Sequence, residues 1–463
     1  MSGQKKTYVQ VGLGGRSSMF RDAVIGKYGE YSSLAAVCDI NEGRVKLAQM
    51  AAREKGVEVD GYSAADFDRM LAEKKPDCVI VTTKDSTHAE YICRAMIAGC
   101  DVITEKPMTM DAEKCQQIID TQKRTGRNCT VTFNYRYAAP RTQVKELLMS
   151  GVIGNVLSVD FEWLLDTKHG ADYFRRWHRN KSNSGGLLVH KATHHFDLVN
   201  WWLSDVPESV YASGTRSFYT PETAARYGLT NRGTRCVECP EKSRCSFCLD
   251  IEGNEKLRQL YRECEQYDGY FRDKCVFNPE NGKNFEPGVD IEDTMALVVN
   301  YAGGARLNYT LTAYSPWEGY AINFNGTAGR LQFTTCETTY VNGDGTTPGE
   351  LLREGSSIKI FPHWSNAYSP ELKTSKGGHG GADPVLLDYI FDPNAGEDPL
   401  MRKADQRAGA YSILCGVAGN ESMRTGGVIR IDSLVQGIGR PDYPPMPTVA
   451  DPLTLKPAEP ASP

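Results

Sequence analysis

The chain has 463 residues, 40% of them hydrophobic and 24% charged, with a formal net charge of −5. That length exceeds one ordinary hydrophobic core and predicts two domains, in a composition typical of soluble globular proteins. Without a basic block there is no electrostatic footprint for nucleic acid, and no run approaches the roughly 18 apolar residues of a membrane-spanning helix.

From the start, Met1–Thr7 leads into the short apolar run Tyr8–Val11, which flows into glycines instead of a signal-peptide core, so the reading is a cytoplasmic protein. Strands follow at Leu34–Cys38, Cys78–Thr82, Val102–Thr104 and Cys129–Phe133, with helix-period segments near 42–55, 65–74, 87–98 and 111–125. Continuous apolar strands alternating with helices predict a parallel sheet covered on both faces: an α/β, Rossmann-type domain over residues 1–134. Ligands of such sheets bind beyond the carboxyl ends of the strands, where Asp39, Thr83, His88, Glu105 and Lys106 fall.

From about 135 the texture changes. A helix near 140–149 stops at Gly151, and strands are expected at Leu157–Trp163, Met295–Tyr301, Ala305–Thr312, Ala321–Asn325 and Leu331–Thr334. Strand runs with few intervening helices predict an α+β domain over 135–440 with an open, mostly antiparallel sheet. A helix over Gln406–Met423 follows, and the last 23 residues hold eight prolines, which predicts an extended or disordered tail over 441–463.

Gly12-Leu13-Gly14-Gly15-Arg16-Ser17 follows a strand and opens a helix. The first glycine permits a tight turn, the second lets backbone approach a pyrophosphate, and the helix N-terminus supplies oriented N–H groups. Ser17 stands where the dinucleotide fingerprint carries a third glycine, and Arg16 is placed against the phosphates. Asp39 lies 24 residues after Gly15, at a strand end, where a carboxylate accepts from ribose hydroxyls and repels a 2′-phosphate. The cofactor expected is NAD.

Beside that cofactor, Lys106 and the block His190-Lys191-Ala192-Thr193-His194-His195-Phe196-Asp197 supply the groups alcohol oxidation requires: an ammonium to steady an alkoxide and an imidazole to remove its proton. His194 is the candidate base. His190 lies one helical turn earlier and is expected on the same face, whereas His195 reads as packing. Arg136, Asp166, Trp177, His178, Arg179 and Lys191 are candidate substrate contacts, Trp177 as a platform for a sugar ring. Six of the 14 cysteines are scattered through the first 130 residues as small buried hydrophobes. Six more crowd a charge-rich insert at 233–280, where Cys236-x₂-Cys239-x₅-Cys245-x₂-Cys248 has paired knuckles that suggest a structural zinc, with free thiols the alternative and Cys275 a substitute ligand.

Gly12-x-Gly14-Gly15, the Thr83 to His88 segment, Glu105-Lys106-Pro107, Asn134-x-Arg136, His190 to Asp197, Asn325 to Leu331 and His379-Gly380-Gly381 together resemble the Gfo/Idh/MocA family, that of glucose–fructose oxidoreductase and inositol dehydrogenase. The resemblance spans nearly the whole chain. It implies a Rossmann domain, an open sheet whose outer face forms homo-oligomers (dimer or tetramer), and a substrate pocket between the domains. It also implies that Lys106 is the active-site lysine, followed by a cis peptide bond, and that His194 is the catalytic histidine. His190 departs from the aspartate that inositol dehydrogenase-like members carry there, and His-Lys-x-x-His-His is similar to bacterial members acting on sugars and glycosides. The expected function is NAD-dependent oxidation of a secondary hydroxyl of a sugar or glycoside, C3 among the candidate carbons. The alternatives are a glycosidase working by transient oxidation, elimination and re-reduction, and a non-catalytic sugar-sensing regulator.

Overall fold

The structure, a computed structural model, describes residues 5–265, 271–277, 288–338, 355–375 and 378–453. The N-terminal part alternates β1 (Lys6–Val11), α1 (Ser17–Ile25), β2 (Ser32–Asp39), α2 (Glu42–Arg53), β3 (Asp60–Ser63), α3 (Phe67–Lys74), β4 (Cys78–Val81), α4 (Asp85–Ile97), β5 (Asp101–Thr104), α5 (Ala112–Thr125) and β6 (Cys129–Val131). The central strand β4 is the run Cys-Val-Ile-Val, every residue buried, as a strand covered on both faces must be. Helix boundaries follow local chemistry. The Asp111 side chain accepts from the Lys114 N–H at 2.8 Å to open α5, and Gly126 at φ 67° closes it.

The rest comprises α6 (Ala139–Met149), β7 (Val156–Asp166), α7 (Thr167–Arg175), α8 (Lys181–Ser184), α9 (Leu187–His190), α10 (Thr193–Leu203), β8 (Pro207–Thr215), α11 (Pro221–Arg226), α12 (Glu255–Leu260), β9 (Thr294–Tyr301), β10 (Arg306–Ser315), β11 (Glu318–Gly326), β12 (Gly329–Thr338), β13 (Gly355–Pro362), α13 (Gly378–Phe391), β14 (Ala404–Asp405), α14 (Gln406–Thr425) and β15 (Ile429–Arg430).

Two sheets result. The first runs β14-β6-β5-β4-β1-β2-β3, parallel throughout except for the antiparallel edge β14. The second runs β13-β12-β11-β7-β10-β9-β8-β15 and is antiparallel except where β7 and β10 pair in parallel. The fold class is therefore a Rossmann domain followed by an open mixed sheet. One face of that sheet buries Phe161, Trp163, Tyr309, Tyr320 and Phe333 against helices, α10 among them. Helix α10 is buried along its whole length, and its C-terminal carbonyls receive an internal cation: Lys145 Nζ donates to the carbonyls of Trp201 (2.7 Å) and Trp202 (3.2 Å) and to Ser204 Oγ.

Several elements were not expected, β3, β8 and α13 among them. Strand β3 is the polar run Asp-Gly-Tyr-Ser, strand-like only through pairing with β2. Strand β8 begins with a proline, and α13 carries Pro384 inside it. The proline-rich tail is described as far as residue 453. Residues 441–453 lack regular structure, yet they pack: Ser204 Oγ donates to the Pro444 carbonyl at 2.6 Å, and Arg407 pairs with Asp442 at 2.6 Å. Residues 454–463 lie outside the described residues, as do 266–270 and 278–280 of the insert. Among the described residues, no helix is long and apolar enough to cross a membrane.

Candidate active site at the carboxyl ends of the parallel strands

The turn after β1 is shaped for a dinucleotide. Gly12 sits at φ +85°, and a Cβ there would lie 2.5 Å from the Thr83 nitrogen. Only glycine lets these two strand ends meet. Gly14 and Gly15 face open space, with nothing within 4 Å of the position a Cβ would take, which leaves their backbone free to approach a pyrophosphate. Ser17 closes the turn: its N–H and hydroxyl donate to the Gly14 carbonyl at 3.1 and 2.6 Å. Asp39 ends β2 and accepts from the N–H groups of Leu13 (2.6 Å) and Asn41 (2.8 Å). The donor set and the open cradle fit a dinucleotide whose ribose lies at Asp39. Arg16 is already occupied, held by Glu105 and Asp383 at 3.2 Å each.

Helix α4 and the loop after β5 are tied together. His88 places Nδ1 2.8 Å from the Pro107 carbonyl and Nε2 3.2 Å from the Thr83 carbonyl, and Thr87 Oγ1 donates to Thr83 Oγ1 at 2.9 Å. The Lys106–Pro107 peptide is cis, as the resemblance implied. Glu105 Oε2 accepts from the Lys106 N–H at 3.1 Å, and Lys106 Nζ donates to the His190 carbonyl at 3.4 Å. Burial pulls the Lys106 ammonium down to about 8, opposed by Glu105 and Asp85.

His190 ends α9, and its Nδ1 meets Asp85 Oδ2 at 2.5 Å. His178 and Trp177 pack beside it, at 4.4 and 5.6 Å between ring centroids, and Trp177 stacks on His178 at 3.7 Å. Burial pushes the Asp85 carboxyl up to about 7, against the pull of His88 and Lys106. Burial and then Lys106 push the His190 imidazole well below its ordinary value.

Lys191 turns the other way. Its ammonium lies 3.5 Å from Glu318 and over the rings of Trp163 (4.6 Å) and Tyr135 (5.8 Å). Glu318 also meets His169 Nδ1 at 2.8 Å, and Tyr173 Oη lies 3.0 Å from His169 Nε2. Although burial alone would raise it, Lys191 and His169 hold the Glu318 carboxyl down at about 2. His194 stacks on Tyr135 at 4.1 Å between centroids, and His195 is a core residue bonded to Tyr309 Oη at 2.6 Å.

Several expectations are corrected. His190 and His194 do not share one helix face, because the chain breaks between α9 and α10 at Lys191 and Ala192. Arg136 is not a substrate contact: it is 1% exposed and forms a two-bond ion pair with Asp197, at 2.5 and 2.8 Å. Asp166 caps α7, accepting from the Lys168 and His169 N–H groups at 2.9 and 2.7 Å. Arg179 stays a candidate contact: it is buried on the same short turn as Trp177 and His178, its carbonyl accepting from the Asp290 N–H at 3.1 Å. In the insert, Cys236, Cys239, Cys245 and Cys248 gather with Cys275 around one small cavity. Among the described residues no disulfide joins them, and burial pushes Cys248 up to about 12. The zinc expectation gains no support: among the described residues, no three histidine, cysteine, aspartate or glutamate side chains are grouped to hold a metal ion. Sequence reasoning passed over Asp85, His169, Tyr173 and Glu318. Only Asp85 carried a signal, lying inside the Thr83 to His88 segment.

Comparison with known proteins shows the family and the fold. Residues 6–133 match the family description "Oxidoreductase family, NAD-binding Rossmann fold", and residues 145–431 match "Oxidoreductase family, C-terminal alpha/beta domain", the two halves of the Gfo/Idh/MocA pattern. Oxidoreductase YteT of Bacillus subtilis (strain 168) is 35% identical over 422 residues, 89% of this chain and 94% of that protein. D-glucoside 3-dehydrogenase of Escherichia coli (strain K12) is 28% identical over 206 residues, 44% of this chain and 56% of that protein. A solved oxidoreductase from Agrobacterium radiobacter, in complex with NAD+, L-tartaric acid and magnesium, shares the fold at a TM-score of 0.60 and 15% identity, covering 93% of this chain and 100% of that one.

Proposed function

The chain belongs to the Gfo/Idh/MocA oxidoreductase family, and on that premise we propose that it is an NAD-dependent dehydrogenase oxidising a secondary hydroxyl of a sugar or glycoside. The observation that carries the reading is the placement of Lys106 against His190, beside the strand ends that frame the glycine cradle. NAD, when bound, supplies the hydride acceptor. Lys106 presents an ammonium to the alkoxide that develops as the C–H bond breaks. An imidazole, His190 or His194, takes the hydroxyl proton, a role worth about 10²–10⁴ in rate. Trp177, half-buried and stacked on His178, offers a flat apolar face to a sugar ring, with His178 and Lys191 as hydrogen-bonding neighbours. Asp39 favours NAD over its 2′-phosphorylated counterpart. The glucoside-oxidising relative supports a glycoside substrate and C3 as the carbon attacked.

A panel of monosaccharides, inositols and alkyl or aryl glycosides, read by NADH absorbance and by aglycone release, tests the proposal. NADH appearing with a sugar or glycoside, and lost in Lys106→Ala, is the expected result. Aglycone release without net NADH would shift the assignment to the glycosidase reaction. Sugar binding with neither signal would shift it to a sensor.

A further inference from the structure

We propose that Asp85 and His190 form an acid–base dyad, with His190 as the proton acceptor in hydroxyl oxidation and Asp85 as its positioning residue. The inference rests on the dehydrogenase reading and deepens it by moving the base from His194 to His190. Three observations carry it. Asp85 Oδ2 and His190 Nδ1 stand 2.5 Å apart, although the residues are 105 positions apart in the chain and sit on separate elements, the first turn of α4 and the end of α9. Both groups are buried, their side chains 4% and 11% exposed, so the contact is shielded from competing water. And Lys106 Nζ reaches the backbone carbonyl of His190 itself, which sets the dyad beside the lysine proposed to steady the alkoxide.

A carboxylate on Nδ1 fixes the tautomer with Nδ1–H, leaving the Nε2 lone pair free to accept a proton. The step balances simply. The hydroxyl proton passes to His190 Nε2, and the adjacent C–H bond gives its electron pair and hydrogen as hydride to the bound nicotinamide. The alcohol carbon becomes a ketone, the cofactor is reduced, and Asp85 stabilises the imidazolium. The surroundings make such a partner necessary. Lys106, Arg176 and Lys191 set positive charge in the surroundings of His190, with His178 and Tyr173 at its ring and His88 nearby, while His88, Lys106 and Glu105 face Asp85. Amid so many cations, an imidazole with no carboxylate beside it would not take up a proton. His194, stacked flat on Tyr135, is left to shape the wall of the site.

The test is Asp85→Asn, which keeps the shape and removes the charge. In the active enzyme kcat is expected to fall at least about 10²-fold with KM changed less than a few-fold, and the acid limb of the pH profile to move. His190→Gln should lose as much, and adding Asp85→Asn to it should cost nothing more. In the cofactor-free protein, nitrogen-15 histidine NMR should show a low-field Nδ1–H resonance of His190 that Asp85→Asn abolishes. An unchanged acid limb and an unchanged His190 resonance in Asp85→Asn would overturn the dyad. Should that variant not fold, His190→Gln decides alone: retained kcat refutes the dyad. A wild type that reduces NAD with no member of the panel refutes instead the dehydrogenase reading, which the NMR signal does not depend on.

Discussion

Burial shifts the acidities of Lys106 and Asp85 toward each other. The reaction needs Asp85 ionised and Lys106 protonated. Burial raises the Asp85 carboxyl and lowers the Lys106 ammonium, so turnover should rise as Asp85 ionises above the ordinary carboxylate range and fall as Lys106 loses its proton below the ordinary lysine range. A kcat/KM profile that stays flat up to pH values well above 9 would contradict the cationic role of Lys106. The Arg136–Asp197 pair sets a different expectation. Both side chains are 1% exposed, so truncating one partner strands a buried charge. Asp197→Leu should lose about 3–5 kcal/mol in urea denaturation while leaving the substrate KM of the folded fraction near wild type. The glycine turn was legible because its glycines run directly on from an apolar strand. Arg136 was misread because a guanidinium near a predicted site looks the same in sequence whether it faces a ligand or a buried carboxylate 61 residues away. Glu318 and His169 were invisible for the same reason, since only strand pairing brings β11 beside β7.

Elements bring these residues together through close backbone approaches. Gly416 on α14 leaves no room for a side chain, because a Cβ there would lie 2.3 Å from the Leu188 carbonyl oxygen on α9. Gly416→Ala should therefore push α9 away, lower stability by about 1–3 kcal/mol and reduce kcat, as the His190 carbonyl leaves Lys106. An unaltered denaturation midpoint and kcat would show that α9 does not depend on this contact. Strands and helices with strong periodicity, such as β4, α5 and β10, were readable from the chain. Those held by neighbours alone, β3 and β8, were not, since their polar or proline-bearing runs carry no pattern of their own. The separation of α9 from α10 was equally hidden, because His190 to His194 has the spacing of one continuous helix.

At the scale of the molecule, the open sheet has one face that the helices leave bare. Tyr211 on β8 stands opposite Val298 on β9, at 48% and 37% exposure, and the exposed Asn308 on β10 extends the row. A second copy of the chain is the proposed cover for this face. Val298→Asp should then lower the mass seen by light scattering after gel filtration, and a wild type already monomeric would reject the proposal.

The first sheet takes its outermost strand from far down the chain. Ala404 and Asp405 pair with Val131 and Thr130, and the Asp405 carboxylate then caps α14 by accepting from the Arg407 and Ala408 N–H groups. The NAD-binding half is thus finished by a stitch drawn from the far end of the C-terminal half. A chimera that swaps only the first 134 residues between relatives would carry a foreign seam at its margin. Exchange between such enzymes has to move two distant stretches of sequence at once.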